Sequence, residues 1–174
     1  DDAVARVMQS GMYILGKEVA AFEKEFSTYL GAHYGIGVGS GTDALHIALR
    51  ACGVGAGDRV ATTPLTASAT AAAIEMAGAI PVFVDVDPRT GLLDPERLER
   101  AIKDDGSQRL KAIVPVHLYG YPADMEAITA LANRYGLMVI EDCAQSHGAS
   151  IDLRKTGTWG HMAAFSFYPT KNLG

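Results

Sequence analysis

The stretch LMVIEDCAQSHGA, residues 137–149, sets four apolar residues directly before two carboxylates. A run this short and β-branched at its centre reads as a strand covered on both faces. A carboxylate such as Asp142 at the end of such a run costs free energy unless a cation or a hydrogen-bond donor meets it. The strand is expected to end where the protein does chemistry.

Working outward, apolar runs of this kind alternate with helical patterns. Upstream, PADMEAITALANRYG spaces Met125, Ile128, Leu131 and Tyr135 along one helical face, and KAIVPVHLYG before it is a strand. DPERLERAIKD opens with Asp94 as a cap and Pro95 at the first helical position. IPVFVDVD is a strand stopped by Pro88, TASATAAAIEMAG an Ala-rich helix, and RVATTP a strand. TDALHIALRAC places Leu45, Ala48, Leu49 and Cys52 on one helical face, and YGIGV is an extended run. VAAFEKEFSTYLG predicts an amphipathic helix carrying Phe22, Phe26, Tyr29 and Leu30 and ending at Gly31. Downstream, MAAFSF is a further strand. This alternation predicts an α/β fold with a mainly parallel sheet and helices on both sides. In such sheets ligands bind beyond the carboxyl ends of the strands. The segments to search are therefore GSGTD (39–43), DVDP (85–88), HLYG (117–120), EDCAQSHG (141–148) and YPTKN (168–172).

Composition narrows the function classes. With 174 residues, 48% hydrophobic and 20% charged, the chain can bury a core and make one domain or most of one. A net charge of −5 and the absence of a basic, aromatic-interleaved run argue against nucleic acid. No run approaches the roughly 18 apolar residues of a membrane span. No signal-peptide pattern opens the chain, so a cytoplasmic location is expected. Cys52 and Cys143 sit far apart in apolar surroundings, as reduced thiols do. The chain has no initiating Met and stops at Gly174, and it is expected to be an excerpt of a longer protein.

Three constellations carry chemistry. In GVGSGTDAL (37–45) the glycines let backbone N–H groups converge on an anion at a helix N-terminus. The spacing G-x-G-x-G lacks the third glycine of the dinucleotide fingerprint, and no Lys makes it a Walker loop. A glycine turn capped by Ser40 or Thr42 is the structural alternative. Asp142 is a carboxylate for a cation, or a cap or partner to an Arg, and a metal site from Asp142, Cys143 and His147 is disfavoured for want of further ligands. Lys171, in SFYPTKNLG (166–174), is by itself a solvated charge. Beside the other two it becomes an amine able to form a Schiff base with an aldehyde, next to a phosphate cradle and a carboxylate for a pyridine nitrogen. Together they describe a pyridoxal phosphate site.

The runs GSGTDALHIAL, GAIPVFVDVDP, VPVHLYGYPADM, VIEDCAQSHGA and FSFYPTKNLG resemble, in order and spacing, the DegT/DnrJ/EryC1/StrS family of sugar aminotransferases. The resemblance runs from about Ile14 to Gly174. It implies the three-layer α/β/α large domain of fold type I enzymes, incomplete at its C-terminus. Residues 1–174 would be the N-terminal segment and most of the pyridoxal phosphate domain, without the small C-terminal domain. Lys171 is implied as the Schiff-base lysine and proton-moving base, and Asp142 as the carboxylate that keeps the pyridine nitrogen protonated. Gln145 lies by the ring oxygen in that family; Ser166 and the amides of Gly41, Thr42 and Asp43 hold the phosphate. The implied reaction moves an amino group, from glutamate or glutamine, to a keto group of a nucleotide-linked sugar, in a homodimer without nucleic acid or membrane partners. A keto-cyclitol aminotransferase and a non-catalytic regulatory or binding protein of the same fold are the alternatives; a dehydratase would carry His in place of Lys171. The fragment alone is expected neither to bind cofactor tightly nor to dimerise. Two departures stand out. Ala67 occupies the position of a ring-stacking aromatic. Trp159 and His161 lie where a Gly-x-x-Gly-Asp pattern is usual, and His161 is expected to be a turn residue at the far end of its strand.

Overall fold

The computed structural model describes residues 2–174. Seven strands follow in chain order: β1 (Arg59–Thr62), β2 (Ile80–Phe83), β3 (Leu110–Val114), β4 (Met138–Asp142), β5 (Ser150–Ile151), β6 (Arg154–Lys155) and β7 (Met162–Ala164). Five form one sheet in the order β2-β1-β3-β4-β7, and every pair in it is parallel. β5 and β6 make a separate antiparallel hairpin.

Alternation along the strands assigns the layers, because successive side chains leave a strand on opposite faces. Val60, Ala112, Val114, Ile140 and Ala164 pack into one cluster with Leu45, Ala48 and Leu49 of α3 (Gly41–Ala51) and Ala73 and Ile74 of α4 (Ser68–Met76). The intervening residues Ala61, Ile113 and Val139 join a second cluster. Leu98 of α5 (Pro95–Asp104) and Met125, Ile128, Leu131 and Ala132 of α6 (Met125–Tyr135) cover it. Each fully buried Leu or Ile contributes about 1.5–3 kcal/mol through the water-exposed surface it removes. This is the three-layer α/β/α arrangement.

Local chemistry sets the helix starts. Asp94 caps α5 by accepting from Glu96 N at 2.9 Å and Arg97 N at 3.3 Å, with Pro95 at the first position. Asp124 caps α6 through Ala127 N at 3.0 Å, and Ser40 caps α3 through Asp43 N at 3.1 Å.

Residues up to Val38 form a unit of their own, with α1 (Asp2–Ser10) and α2 (Lys17–Leu30). Arg6 and Glu18 pair at 2.7 Å, and Gly31 closes α2 in the left-handed conformation. The run YGIGV, expected to be extended like a strand, joins no ladder, and Ile36 is 82% exposed. It lies against α2 instead: Gly37 N donates to Glu23 Oε1 at 2.6 Å, and a Cβ on Gly35 would come within 2.6 Å of Glu23 O. Other expected strands are shorter than their apolar runs. IPVFVDVD pairs in the sheet only to Phe83 before Val86 turns to an antiparallel bridge with Leu93, and MAAFSF only to Ala164. As an edge strand, β2 leaves Ile80 and Phe83 more than half exposed.

The β5–β6 hairpin turns through Asp152 and Leu153, at φ 44° and 70°. Positive φ at both central residues is the signature of a type I′ turn, which favours Asn and Gly. Leu153 is 96% exposed and packs on nothing that offsets its left-handed backbone. Leu153→Gly should therefore raise stability by about 0.5–1 kcal/mol, read as a higher thermal midpoint; a lower midpoint would contradict the strain.

Candidate functional site

The alternation that layers the fold also sorts the polar residues at the strand ends. Asp142 has the parity of Ile140 and emerges on the α3–α4 face; Glu141 has the parity of Val139 and emerges on the α6 face. Ser166, two residues beyond Ala164, returns to the α3 side.

On that side, Asp142 is 6% exposed. Its Oδ2 accepts from Thr70 Oγ1 at 2.8 Å, and its Oδ1 from Ala144 N at 3.1 Å. Burial pushes its carboxyl above the ordinary carboxylate range, while the hydrogen bonds from Thr70 and Ala144 and, less strongly, the positive potential from His117 and Lys171 pull it down. Lys171 is half-buried in the turn after β7, its N–H bonded to Tyr168 O at 2.8 Å. His147 sits edge-on to Phe165 and Phe167, at 5.4 and 5.2 Å between ring centres. Burial lowers its pKa, opposed by hydrogen bonding with Asn172 and the Ser166 backbone.

The start of α3 meets Ser166 closely. A Cβ on Gly41 would lie 2.9 Å from Ser166 Cβ and 3.3 Å from its Oγ, so only glycine lets this backbone approach. Gly41 and Thr42 occupy the first helical positions, whose N–H groups have no acceptor within the helix. The amide of Asp43 is already engaged by Ser40 Oγ, and Ser40 donates in return to Asp43 Oδ2 at 2.8 Å. The groups left at this helix start to meet an anion are the Gly41 and Thr42 amides and the Ser166 hydroxyl. Gln145 turns its Oε1 to Tyr119 N at 2.8 Å, and Tyr119 holds a left-handed backbone at φ 55°.

On the other face lies a group that the sequence reading passed over. Glu141 is 0% exposed and accepts four hydrogen bonds. Trp159 N and Gly160 N meet Oε1 at 2.7 Å each, and Gly157 N at 2.8 Å and His117 Nε2 at 3.0 Å meet Oε2. Ala123 N donates to His117 Nδ1 at 3.0 Å, which places the imidazole proton on Nε2, pointing at Glu141. Burial raises the Glu141 carboxyl, but the bonds from His117, Gly160 and Gly157 outweigh it and hold the group below its usual range. The signal was present: two carboxylates in succession on a strand covered on both faces must place one on each side. His117, inside an apolar run, was the matching mark.

Among the described residues, His117, Glu141 and Cys143 converge with ligand atoms within 4.8 Å, rather than Asp142, Cys143 and His147. Both Glu141 oxygens and both His117 nitrogens already have hydrogen-bond partners, and burial drives the Cys143 thiol well above its ordinary pKa. The cluster is a hydrogen-bonded clamp. At the opposite end of the strands, Val139 N donates to His161 Nδ1 at 3.1 Å and His161 N to Val139 O at 2.8 Å, so His161 is a turn residue away from Asp142. Ala67 precedes α4 as its cap residue.

The donor set fits pyridoxal phosphate: a cradle for an anion, a buried carboxylate for a protonated ring nitrogen, and an amine whose charge reaches that carboxylate. The chain is also similar to known proteins of one family. The model of the DegT/DnrJ/EryC1/StrS aminotransferase family matches residues 1–174. A pleiotropic regulatory protein of Geobacillus stearothermophilus is 53% identical over 97% of this chain and 44% of its own. The dTDP-3-amino-3,4,6-trideoxy-alpha-D-glucose transaminase of Streptomyces venezuelae is 48% identical over 100% of this chain and 45% of its own. The crystal structure of an aminotransferase from Brucella abortus superposes with a TM-score of 0.95 at 46% identity, over 99% of this chain and 47% of that one. The chain spans about half the length of the curated relatives it matches. Among the described residues, no helix is long and apolar enough to cross a membrane.

A carboxyl whose pKa is higher folded than unfolded loses stability as pH rises between the two values, and the loss is complete above the folded one. Asp142 is such a group. Asp142→Asn can still accept from Ala144 N and hydrogen-bond Thr70, so the cofactor-free variant should unfold at a higher temperature at neutral pH. The difference should vanish below the ordinary carboxylate range. Thermal unfolding across pH checks this, and a lower midpoint at neutral pH would contradict it.

Proposed function

From a chain that belongs to the DegT/DnrJ/EryC1/StrS aminotransferase family, we propose that the full-length protein is a pyridoxal-phosphate-dependent aminotransferase of nucleotide-linked keto-sugars. The carrying observation is that Asp142, Lys171 and the Gly41–Ser166 approach gather at one end of one sheet. Bound there, pyridoxal phosphate supplies an electron sink for the carbon that loses or gains the amino group.

The protein's own groups do the rest. The Gly41 and Thr42 amides and the Ser166 hydroxyl hold the phosphate, with α3's N-terminal dipole favouring its charge. Asp142, kept ionised by a cationic ring nitrogen, holds the proton on that nitrogen. Lys171 would be the amine that holds the cofactor's aldehyde, and its Nζ is the base available there to hold or move a proton. Gln145 would be a further side chain holding the cofactor's ring. Glutamate or glutamine is the proposed donor, and the name of the Streptomyces relative supports a sugar nucleotide as acceptor. Residues 1–174 would be the N-terminal segment and most of the large domain of a cytoplasmic homodimer. A keto-cyclitol acceptor is the alternative within the same chemistry.

The name of the Geobacillus relative favours a second reading, a regulatory protein of the same fold. Against it stands a buried carboxylate kept at a cost beside a lysine, which binding alone does not require. The full-length protein mixed with pyridoxal phosphate should develop the visible absorbance of the lysine-bound cofactor, and Lys171→Ala should lose it. No band, or a band unchanged by the substitution, sinks the enzyme reading. A band without amino transfer to any keto-sugar nucleotide would redirect the acceptor to cyclitols.

A further inference from the structure

The clamp on the α6 face and the proposed cofactor carboxylate on the α3–α4 face are consecutive residues, and one loop ties them together. His117 N donates to Asp142 O at 3.1 Å, and Asp142 N donates to Pro115 O at 2.9 Å. The imidazole of the same His117 donates to Glu141 at 3.0 Å. Two residues on, Tyr119 N holds Gln145 Oε1 at 2.8 Å from a left-handed backbone, strained for a residue with a side chain. Glu141 also gathers the turn that leads into β7 through Gly157, Trp159 and Gly160, and Cys143 N bonds to Ala164 O at 2.9 Å, two residues before Ser166. Asp142, Gln145 and Ser166 thus all hang from segments that Glu141 and His117 hold. Neither side chain faces the site itself.

We propose that Glu141 and His117 are positioning residues, a buried clamp that fixes the ends of β3 and β4 so that Asp142 and Gln145 address one ligand together. This rests on the reading of Asp142 as the partner of a protonated ring nitrogen. The imidazole fits the role because its two nitrogens do separate work: Nδ1 accepts from Ala123 N, and Nε2 donates to Glu141. His117→Asn keeps an acceptor for Ala123 and loses the bond to Glu141. His117→Gln keeps a donor for Glu141 and loses the acceptor for Ala123.

The test uses the full-length protein loaded with ring-15N-labelled pyridoxal phosphate. The readouts are the ring-nitrogen chemical shift, the cofactor dissociation constant and the thermal midpoint. His117→Asn should move the nitrogen signal toward its unprotonated position and weaken cofactor binding about tenfold, the scale of one lost hydrogen bond to a charged group. His117→Gln should restore both. A folded His117→Asn protein with an unmoved signal and unchanged affinity overturns the positioning role. So does loss of the folded chain in both variants, since a clamp needed for folding as a whole is not a positioning device. Asp142→Asn separates the two levels. If that substitution moves the signal while His117→Asn does not, the clamp inference fails alone; if it leaves the signal unmoved, the reading of Asp142 fails and the inference with it.

Discussion

A carboxylate with no access to water holds the working end of this fold together. Removing an ion such as Glu141 from solvent costs several kcal/mol, and four N–H donors offset that cost. Three of them come from the backbone of one turn, which cannot form without close approach: a Cβ on Gly160 would lie 2.7 Å from Val139 O. The fourth comes from a histidine whose other nitrogen is also occupied. Losing one donor would leave a buried charge partly unmet, so the turn into β7, the loop after β3 and the end of β4 hold one arrangement together.

Adjacent residues on β4 therefore do opposite things. Glu141 faces a pocket that prefers it charged, with its pKa held down. Asp142 faces one that resists its charge, with its pKa raised and, among the described residues, donors from Thr70 and Ala144 alone. A strand covered on both faces makes this division natural, because its period of two sends neighbours into separate cores. The first carboxylate stabilises the frame. The second is held in a state that a neighbouring cation would relieve.

Much of this was legible without coordinates. The order of strands and helices, the cap at Asp94 and the core faces of α3 and α6 follow from patterns of a few residues. The GSGTD segment, Asp142 and Lys171 stood out as candidates in the same way, because ligands in parallel sheets sit beyond strand ends; Gln145 and Ser166 came from the family resemblance. YGIGV misled because an apolar run states that a segment prefers cover, without naming what covers it; here Glu23 and the backbone of α2 take the hydrogen bond and the space. The strand limits misled for a related reason, since a ladder ends where its neighbour ends. Glu141 and His117 are 24 residues apart: each is marked in the sequence as a polar group within an apolar run, and only the fold pairs them.

The sequence by itself determined the periodicities, and with them the layers, the parity that separates Glu141 from Asp142, and the chemical types gathered at the strand ends. These are local properties, set by φ and ψ preferences and the spacing of apolar side chains. Only the tertiary structure decided which of those groups are met and by what: Ser40 taking the Asp43 amide, Ser166 closing on Gly41, Tyr119 turning Gln145, and His117 donating its ring N–H to Glu141. Hydrogen bonds and desolvation act over about 3 Å of space, whatever the separation along the chain, so their outcome waits on the fold.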